Sequence, residues 1–550
     1  MNFRAANLDR IRRLGDVDVL VIGGGVNGAA VLRDLALNGL SAILVDRSDF
    51  CQGATSASTR MAHGGLRYLE NREFGLVAES TRERNLLLKN APHFTAALEV
   101  VVPLTSWIKG FGGSALRFLG LDAKTSGFSV ASLSVALWLY EWLGRVERVL
   151  PSHALRFDRA CRALALPLRY KALISYYDGR ITNPEGLVFE MIEEALGLGD
   201  RWAALNHVKW RLSGREFEIT DPESGVAVSV RPRLIVNASG AWIDRVNAEL
   251  GLKTTYVLPV KGAHLVIRND QLLERLAGRA MYFDDGEGRL LICCPLARTI
   301  LMGTTEIPSD PDDVAVADDE VEYLTRAIDG LFVDISVTRD QIVHYTTGMR
   351  PLHNTGVGDA NRANRAHALL SDTSSESGLP VLSLVGGKWT TFRSFAEEAV
   401  NRVLSEFGKP RVTSTRDRPY PGKAAAAVSA TLGARQRDLS SRYGAMAAAV
   451  AAFCASGDDR ALVSLPDFTE HEIRWLIAER AALTLDDLVS RRTQIALDGL
   501  AASAVLTELT SIIAATLDRN PAWAGAAVQD YLERHGVAGS APAQLAGEHL

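Results

Sequence analysis

Hydrophobic residues along the chain fall into short runs that end at glycine, a pattern typical of buried strands in α/β proteins. The first run, "VDVLVIGGG", is apolar and β-branched, and the segment after it, "NGAAVLRDLALNG", has apolar residues at helical spacing. "SAILVD" then predicts a second strand that ends at Asp46. The order strand, glycine turn, helix, strand is typical of a nucleotide-binding α/β unit.

Two later runs predict further strands of this kind. "RLIVNASGAW" and "PVLSLVGGKW" are apolar, stop at small residues and then turn helical. Ligands bind at the carboxyl ends of parallel strands, so we expect the ends of these runs to meet at one site. Between them, "YVLPVKGAHLVI" and "RLLICCPLARTILMGTTE" predict antiparallel strands of a sheet that covers a pocket.

A domain boundary is predicted near residue 420, where "RDRPYPG" interrupts the chain with two prolines and a glycine. The sequence beyond it is rich in alanine and leucine at helical spacing, with capping boxes at Thr469/Glu472 and Thr484/Asp487. We therefore predict an α/β region over residues 1–420, with a second part at roughly 95–170 and 250–345 interleaved in it. An all-helical domain is predicted over residues 421–550.

Chain length, net charge and cysteine content limit the classes of protein that fit this sequence. A chain of 550 residues is too long for one core, and its net charge of -5 does not indicate nucleic acid as a partner. Five cysteines without a CxxC spacing favour a reduced, intracellular setting, with no disulfide framework and no metal site.

One uncharged run, "TSGFSVASLSVALWLY", is shorter than the roughly 20 apolar residues that a membrane-spanning helix needs. A core helix is the favoured interpretation. The alternative is a helix that lies on a membrane surface, with Trp107, Trp138, Tyr140 and Trp142 at the interface.

A glycine motif, Gly23-x-Gly25-x-x-Gly28, follows the first strand, and Asp46 ends the second. The glycines would permit a tight turn, the close approach of a pyrophosphate and close packing of helix on strand, while Asp46 would bind a ribose hydroxyl. The motif alone fits NAD or FAD. Gly386 and Gly387, before a predicted helix from about residue 391, would suit FAD, because a helix N-terminus would face the flavin pyrimidine ring. Taken alone, this glycine pair fits an ordinary turn better.

Polar and cationic residues cluster just after this motif, in "RMAHGGLRYLE". His63, Arg67 and Tyr68 flank Gly64 and Gly65 there. Cations far away in sequence, Arg350 and Lys388, could converge on them and would then suit a phosphate or carboxylate. For His264 in "PVKGAHLVI" and for the polar residues of "MGTTE", a site role and ordinary hydrogen bonding at a sheet edge fit equally well.

Together these segments resemble the FAD-dependent glycerol-3-phosphate dehydrogenase family of the aerobic, quinone-linked type. The matching pieces include "IGGGVNGAA", "ATSASTRMAHGGLRYLE", "VNASGAW", "VKGAHLV", "GTTE", "GMRPL" and "GGKWTTFRSFAEEA", and "AERAALTLDDLVSRRTQIAL" resembles its helical cap. The resemblance implies a Rossmann-like FAD domain, an antiparallel-sheet substrate domain and a helical C-terminal domain. It also implies a set of FAD-binding residues: Gly23, Gly25, Gly28, Asp46, Ser56, Gly64, Gly65, Gly240, Gly386 and Gly387.

The implied reaction is oxidation of sn-glycerol 3-phosphate to dihydroxyacetone phosphate, with hydride passing from C2 to flavin N5. Arg350 with Arg67 or Lys388 would hold the phosphate, near Tyr68, and His63 or His264 would take the C2 hydroxyl proton. The choice of histidine stays open.

The partners implied by the resemblance are a quinone or oxygen as electron acceptor, the inner face of the cell membrane as a peripheral contact, and a second copy of the chain in a homodimer. Related enzymes act on other phosphorylated polyols, such as erythritol phosphate, which is the alternative substrate.

Overall fold

Residues 2–69, 73–108, 129–285, 289–356, 366–424 and 433–535 are described by the structure, a computed structural model. Its strands are β1 (Asp16–Ile22), β2 (Ala42–Val45), β3 (Met61–Ala62), β4 (Thr95–Leu104), β5 (Ala154–Phe157), β6 (Ala172–Ile181), β7 (Trp202–Leu205), β8 (Lys209–Ser213), β9 (Glu216–Thr220), β10 (Ala227–Asn237), β11 (Val257–Ile267), β12 (Ala280–Asp284), β13 (Leu290–Pro295), β14 (Ile300–Gly303), β15 (Ile307–Pro308), β16 (Ile342–His353), β17 (Ala368–Thr373) and β18 (Pro380–Val385).

Helices cover both sheets and form the C-terminal region. They are α1 (Phe3–Leu14), α2 (Val26–Leu37), α3 (Phe74–Asn90), α4 (Val130–Leu143), α5 (Asp158–Ala163), α6 (Pro184–Gly197), α7 (Ile243–Glu249), α8 (Asp270–Leu276), α9 (Asp318–Asp329), α10 (Phe392–Glu406), α11 (Ala434–Tyr443), α12 (Ala447–Ala455), α13 (Glu470–Glu479), α14 (Ser503–Thr516) and α15 (Pro521–His535). Short 3-10 turns lie at Leu66–Leu69, Gly240–Trp242, Arg339–Gln341 and Gly444–Met446, and a π-helix spans Asp487–Arg492.

A parallel sheet carries the glycine motif. Its strand order is β17-β18-β10-β1-β2-β7, and β18, β10, β1, β2 and β7 run parallel. Six of the seven residues of β1 are buried, because helices cover both faces of the sheet. The carboxyl ends of β18, β10, β1 and β2 therefore lie at one edge, as the sequence predicts.

The second sheet is predominantly antiparallel and has the order β15-β11-β14-β13-β12-β4-β6-β3, with β16 beside β11 and β5 beside β6. His264 pairs with Gly303, Gly303 with Ile292, and Ile292 with Tyr282. Paired residues share a face of a sheet, so these four form one row. The predicted strands around "KGAH" and "LLICC" are confirmed.

Helix α4 covers this sheet with one face only. Leu133 and Leu137 are buried there, whereas Val135, Trp138 and Trp142 are 57%, 63% and 48% exposed. The expectation of a core helix is therefore correct for the inner face and wrong for the outer one. No helix in the described part of the chain is long and apolar enough to cross a membrane.

Helices α11 to α15 and the π-helix form a separate hydrophobic core, with Leu476, Leu488 and Leu506 among its fully buried residues. The predicted architecture, an α/β part with a parallel sheet, a largely antiparallel second sheet and a helical C-terminal region, is confirmed. The exact boundary near residue 420 stays a prediction.

Candidate active site

A cavity of about 930 Å³ lies between the carboxyl edge of the parallel sheet and the row on the second sheet. Segments that are far apart in sequence line it: Gly23 and Gly25, Asp46, His63 and Gly65, Gly240, His264, Arg350, and Gly386 to Lys388. The tertiary fold thus brings together most of the predicted site residues. Gly28, Ser56 and Gly64 lie behind the wall of the cavity rather than along it.

Close packing leaves no space for a side chain at Gly23 or at Gly28. A β-carbon at Gly23 would lie 2.5 Å from the Ala238 carbonyl oxygen, and one at Gly28 would lie 1.9 Å from the Gly23 carbonyl oxygen. Gly23 also has φ +109°, which favours glycine. The motif therefore builds a turn in which helix α2, strand β1 and the end of β10 touch without side chains between them.

Asp46 binds the glycine turn itself. Its carboxylate accepts hydrogen bonds from the Gly24 N–H, 2.6 Å away, and from the Ser48 N–H, 2.9 Å away. Burial raises the pKa of Asp46 to about 6. The carboxylate lines the cavity, so one group both ties β2 to the turn and presents an acceptor to a ligand.

Helix α2 begins at the cavity wall. Gly25 is its extended N-cap residue, and the Val26 N–H donates to Thr55 Oγ1 at 3.1 Å. Beside the start of this helix, Gly386 and Gly387 have φ +77° and +102°, and a β-carbon at Gly387 would lie 2.8 Å from Asn27 Nδ2. Backbone without side chains therefore lines the wall at both glycine segments.

The "HGG" segment is held from two sides. The His63 N–H donates to Thr390 Oγ1, and the Thr390 hydroxyl donates to the His63 carbonyl, both at 3.0 Å. The Gly64 N–H donates to the Tyr140 hydroxyl at 2.8 Å. Backbone of Arg67 and Tyr68 lies in a 3-10 turn, but their side chains lie outside the described part of the structure, so their predicted roles stay predictions.

Tyr140 belongs to a buried network behind this segment. Its hydroxyl donates to Asp178 Oδ1 at 2.6 Å and accepts from Arg84 Nη1 at 2.9 Å. Arg84 also donates to Asp178 at 2.7 Å. Burial, followed by the Asp178 charge, raises the pKa of Tyr140 well above its usual value, so the hydroxyl stays protonated.

His264 and Arg350 lie on neighbouring strands at the cavity. His264 is 2% exposed, and its Nε2 lies 3.1 Å from Thr59 Oγ1, while its Nδ1 has no hydrogen-bond partner among the described residues. Burial, with a contribution from the Arg350 charge, lowers the pKa of His264 to about 3. The imidazole is therefore neutral near pH 7.

Hydrogen bonds to neighbouring residues orient the Arg350 side chain. It donates to Thr304 Oγ1 at 2.9 Å and to the Thr305 carbonyl at 3.3 Å. Lys388 lines the same cavity from the end of β18. Two cations and a neutral histidine from separate strands thus share one cavity, which suits an anionic substrate that loses a proton.

Sequence reasoning missed several residues that support the site: Thr55, Thr59, Tyr140, Asp178 and Thr390. Tyr140 stands in an uncharged run, where an aromatic residue first suggests packing or a membrane contact. Asp178 lies inside a strand in "YYDG", and an acid within a largely apolar segment was the available signal.

Comparisons with known proteins agree with this geometry. Residues 18–392 match the family model described as FAD dependent oxidoreductase, and residues 382–523 match the C-terminal domain of alpha-glycerophosphate oxidase. A glycerol-3-phosphate dehydrogenase of Synechocystis sp. is 31% identical over 87% of this chain and 89% of its own length. A D-erythritol 1-phosphate dehydrogenase of Brucella abortus is 29% identical over 87% of this chain and 94% of its own length.

A solved structure shares the fold. The glycerol-3-phosphate dehydrogenase from Bacillus halodurans, determined in complex with FAD, superposes with a TM-score of 0.73 at 22% identity. The similarity covers 97% of this chain and 98% of that one.

Proposed function

Because the chain belongs to the FAD-dependent glycerol-3-phosphate dehydrogenase family, we propose that it oxidises sn-glycerol 3-phosphate to dihydroxyacetone phosphate. The cofactor is FAD, which when bound accepts the hydride from C2 of the substrate at flavin N5. The observation that carries the proposal is the convergence of Arg350, Lys388 and a neutral His264 on one cavity.

The residues present fit FAD. The glycine turn at Gly23 and Gly25 leaves backbone space at the start of α2, where N–H groups and the helix dipole favour a pyrophosphate. Asp46 would accept a hydrogen bond from the ribose. Gly386 and Gly387 would let the flavin lie close to the backbone, just before helix α10.

Arg350 and Lys388 would hold the substrate phosphate in this proposal. A dianionic phosphate matches the planar guanidinium of Arg350 and the point charge of Lys388. Arg67 stays a candidate third cation.

His264 is the proposed base. Its neutral imidazole lines the cavity and would accept the C2 hydroxyl proton. A phosphate on Arg350 would neutralise one of the charges that lower the histidine pKa, so the pKa should rise when substrate binds. His63 remains the alternative base.

The direct test is an anaerobic absorbance spectrum of the holoenzyme. Glycerol 3-phosphate should bleach the flavin band, and an unbleached spectrum would contradict the proposed substrate. Arg350→Ala should raise KM by roughly 10- to 100-fold, the loss expected for a charged hydrogen-bonding partner. Arg298→Ala removes an exposed arginine paired with Asp467 and should leave KM unchanged. Equal effects of the two substitutions would exclude the phosphate role of Arg350.

Another phosphorylated polyol is the second candidate substrate, favoured by the similarity to D-erythritol 1-phosphate dehydrogenase. A panel of glycerol 3-phosphate and D-erythritol 1-phosphate, scored by the rate of flavin bleaching, separates the two. Faster bleaching by the four-carbon substrate would replace glycerol 3-phosphate in the proposal.

A quinone is the proposed electron acceptor, reached at a membrane surface. The outer face of α4 exposes Val135, Trp138 and Trp142, and Trp107 and Ile108 lie 46% and 72% exposed. Arg145 stacks on the Trp142 ring at 4.8 Å, which adds positive charge beside the apolar face. Tryptophan with arginine at an apolar surface favours the headgroup region of a bilayer.

A further inference from the structure

The side chain of Arg350 is confined by its neighbours. Its strand pairs with β11, where Val260 lies opposite Arg350. A β-carbon on Gly262 would lie 2.6 Å from Arg350 Nη1, so the guanidinium occupies the space that this glycine leaves. The two terminal nitrogens of the guanidinium donate to the Thr305 carbonyl and to Thr304 Oγ1. The orientation of the Arg350 guanidinium therefore depends on the position of residues 304 and 305.

Thr305 is itself fixed from behind. It is 2% exposed, and its hydroxyl accepts from the Ala263 N–H at 2.9 Å and donates to Glu320 Oε1 at 2.7 Å. Glu320 belongs to the first turn of α9. A helix outside the second sheet thus holds the segment that holds Arg350.

Glu320 is paired with a buried lysine. Lys261 Nζ lies 2.9 Å from Glu320 Oε2 and donates to the Ala315 carbonyl at 2.9 Å. Lys261 and Glu320 are 5% and 3% exposed, and neither lines the cavity. Buried ion pairs add little net stability, because desolvation offsets much of the attraction. Glu320 Oε2 also accepts from the Ala317 N–H at 3.1 Å, so the carboxylate caps α9 and anchors, through Thr305, the segment that holds Arg350.

We propose that Glu320 and Lys261 are positioning residues for substrate phosphate, acting through Thr305 on Arg350. The inference rests on the proposed function of Arg350. Glu320 orients the Thr305 hydroxyl, and Lys261 holds the Glu320 carboxylate in place. Loss of the bond to Thr305 should loosen residues 304 and 305 and misplace the guanidinium, which weakens phosphate binding while leaving the reacting C2 end intact.

Two double variants separate positioning from stability. Lys261→Met with Glu320→Gln removes both charges but keeps an amide that can bond Thr305. Lys261→Met with Glu320→Leu removes both charges, the bond to Thr305 and the bond from the Ala317 N–H that caps α9, so its thermal midpoint should fall while that of the Gln variant changes less. Because each replaces a buried pair by neutral groups of similar size, neither leaves an unpaired buried charge.

The measurements are KM and kcat for glycerol 3-phosphate, the inhibition constant for inorganic phosphate, and the thermal midpoint of the holoenzyme. We expect the Leu double variant to raise KM and the phosphate constant roughly tenfold, with kcat little changed. The Gln double variant should stay close to wild type. Equal constants in all three proteins, or equal increases in both variants, would overturn the proposal.

Two single substitutions of Thr305 test the same proposal if the double variants fold poorly. Thr305→Ser keeps the hydroxyl and should behave as wild type, whereas Thr305→Val should reproduce the weaker phosphate binding. Arg350→Ala serves as the reference. If it leaves the phosphate constant unchanged, the proposed function of Arg350 fails. If it raises that constant while the Leu and Val variants do not, only the positioning role is wrong.

Discussion

The surroundings of Gly28 leave no space for a β-carbon, which explains why the motif has glycine at this position. It lies inside helix α2, where its β-carbon position falls 1.9 Å from the Gly23 carbonyl oxygen. Gly75 is also helical, but a β-carbon there would meet nothing within 4 Å. The two glycines share a conformation and differ in their surroundings.

Gly28→Ala should therefore push α2 away from the turn and weaken FAD binding, with a loss of roughly 1–3 kcal/mol in stability. Gly75→Ala should be neutral or stabilising by about 0.5–1 kcal/mol, since alanine favours the helix. Reconstitution of apoprotein, followed by flavin fluorescence, gives the FAD dissociation constant, and urea unfolding gives stability. Similar results for both variants would show that close packing is not the reason for Gly28.

Tyr140→Phe should remove three hydrogen bonds at once and leave the Gly64 N–H with only its longer, 3.3 Å bond to Asp178. We expect a stability loss of about 1–3 kcal/mol, the cost of buried polar groups left unpaired, and weaker FAD binding. Tyr420→Phe is the matched control, because Tyr420 is equally buried and contacts Arg33 through its ring. Unchanged FAD affinity in Tyr140→Phe would separate the network from the cofactor.

Helix α4 shows at the scale of an element how one sequence serves two environments. Its run of apolar residues has almost no polar face to mark the outside, so the pattern alone cannot tell a covered face from an exposed one. The structure makes the distinction, since Leu133 and Leu137 reach the second sheet and Trp138 and Trp142 do not. Tyr140, grouped with the tryptophans by sequence, lies on the inner face.

Trp138→Ser with Trp142→Ser should reduce binding to vesicles that contain anionic lipid, with little change in stability, because both side chains are exposed. Cosedimentation with vesicles measures the binding. Val412→Ser with Val463→Ser is the control, since these side chains are 77% and 92% exposed elsewhere. Equal vesicle binding by wild type and the tryptophan variant would contradict the proposed contact.

The whole molecule is joined by a buried ion-pair network between the parallel sheet and the C-terminal domain. Asp49, just beyond Asp46, accepts from Arg492 at 2.7 Å and from Arg491 at 2.6 Å. His207 lies 2.9 Å from Asp487 on the C-terminal side. The helical domain is therefore attached beside the strand end that carries Asp46.

Arg492→Met should leave Asp49 partly uncompensated in a buried site and cost about 3–5 kcal/mol. Arg12→Met removes an arginine that is 59% exposed and should cost about 0–1 kcal/mol. Calorimetry measures both, and the Arg492 variant should lower the transition of the α/β domain together with that of the helical domain. A shift confined to the helical domain would show that the network does not couple the two.

His344 makes the stability of the fold depend on pH. Burial, with His535 nearby, lowers the pKa of His344 to about 3, while Asp486 acts in the opposite direction. Because the folded pKa lies below the unfolded value of about 6.5, stability is lost as pH falls through 6.5 towards 3. At pH 5 this amounts to about 2 kcal/mol.

His344→Leu should remove that loss. Urea unfolding at pH 7.5 and pH 5 should show the variant gaining about 2 kcal/mol relative to wild type on acidification. A parallel fall in both proteins would assign the acid sensitivity to other groups.

The local patterns of the sequence were sufficient for the strands and the glycine turn, whereas the FAD cofactor and the family came from the resemblance of many segments to a known family. They were sufficient because each depends on neighbours in the chain: a buried strand needs a short apolar run, and a tight turn needs glycine at a set spacing. Gly23, Asp46 and Gly386 could be identified for this reason, and so could Arg350 and Lys388 as candidates.

Other features arose only when distant segments met. Whether Arg350 and Lys388 share a cavity, whether His264 is neutral, and which face of α4 is covered depend on strands paired across long separations. The hydrogen bonds between Gly64 and Tyr140 and between Thr305 and Glu320 also join segments that are far apart in sequence or in different elements. Desolvation and hydrogen-bond geometry are properties of the packed molecule, and no spacing along the chain encodes them.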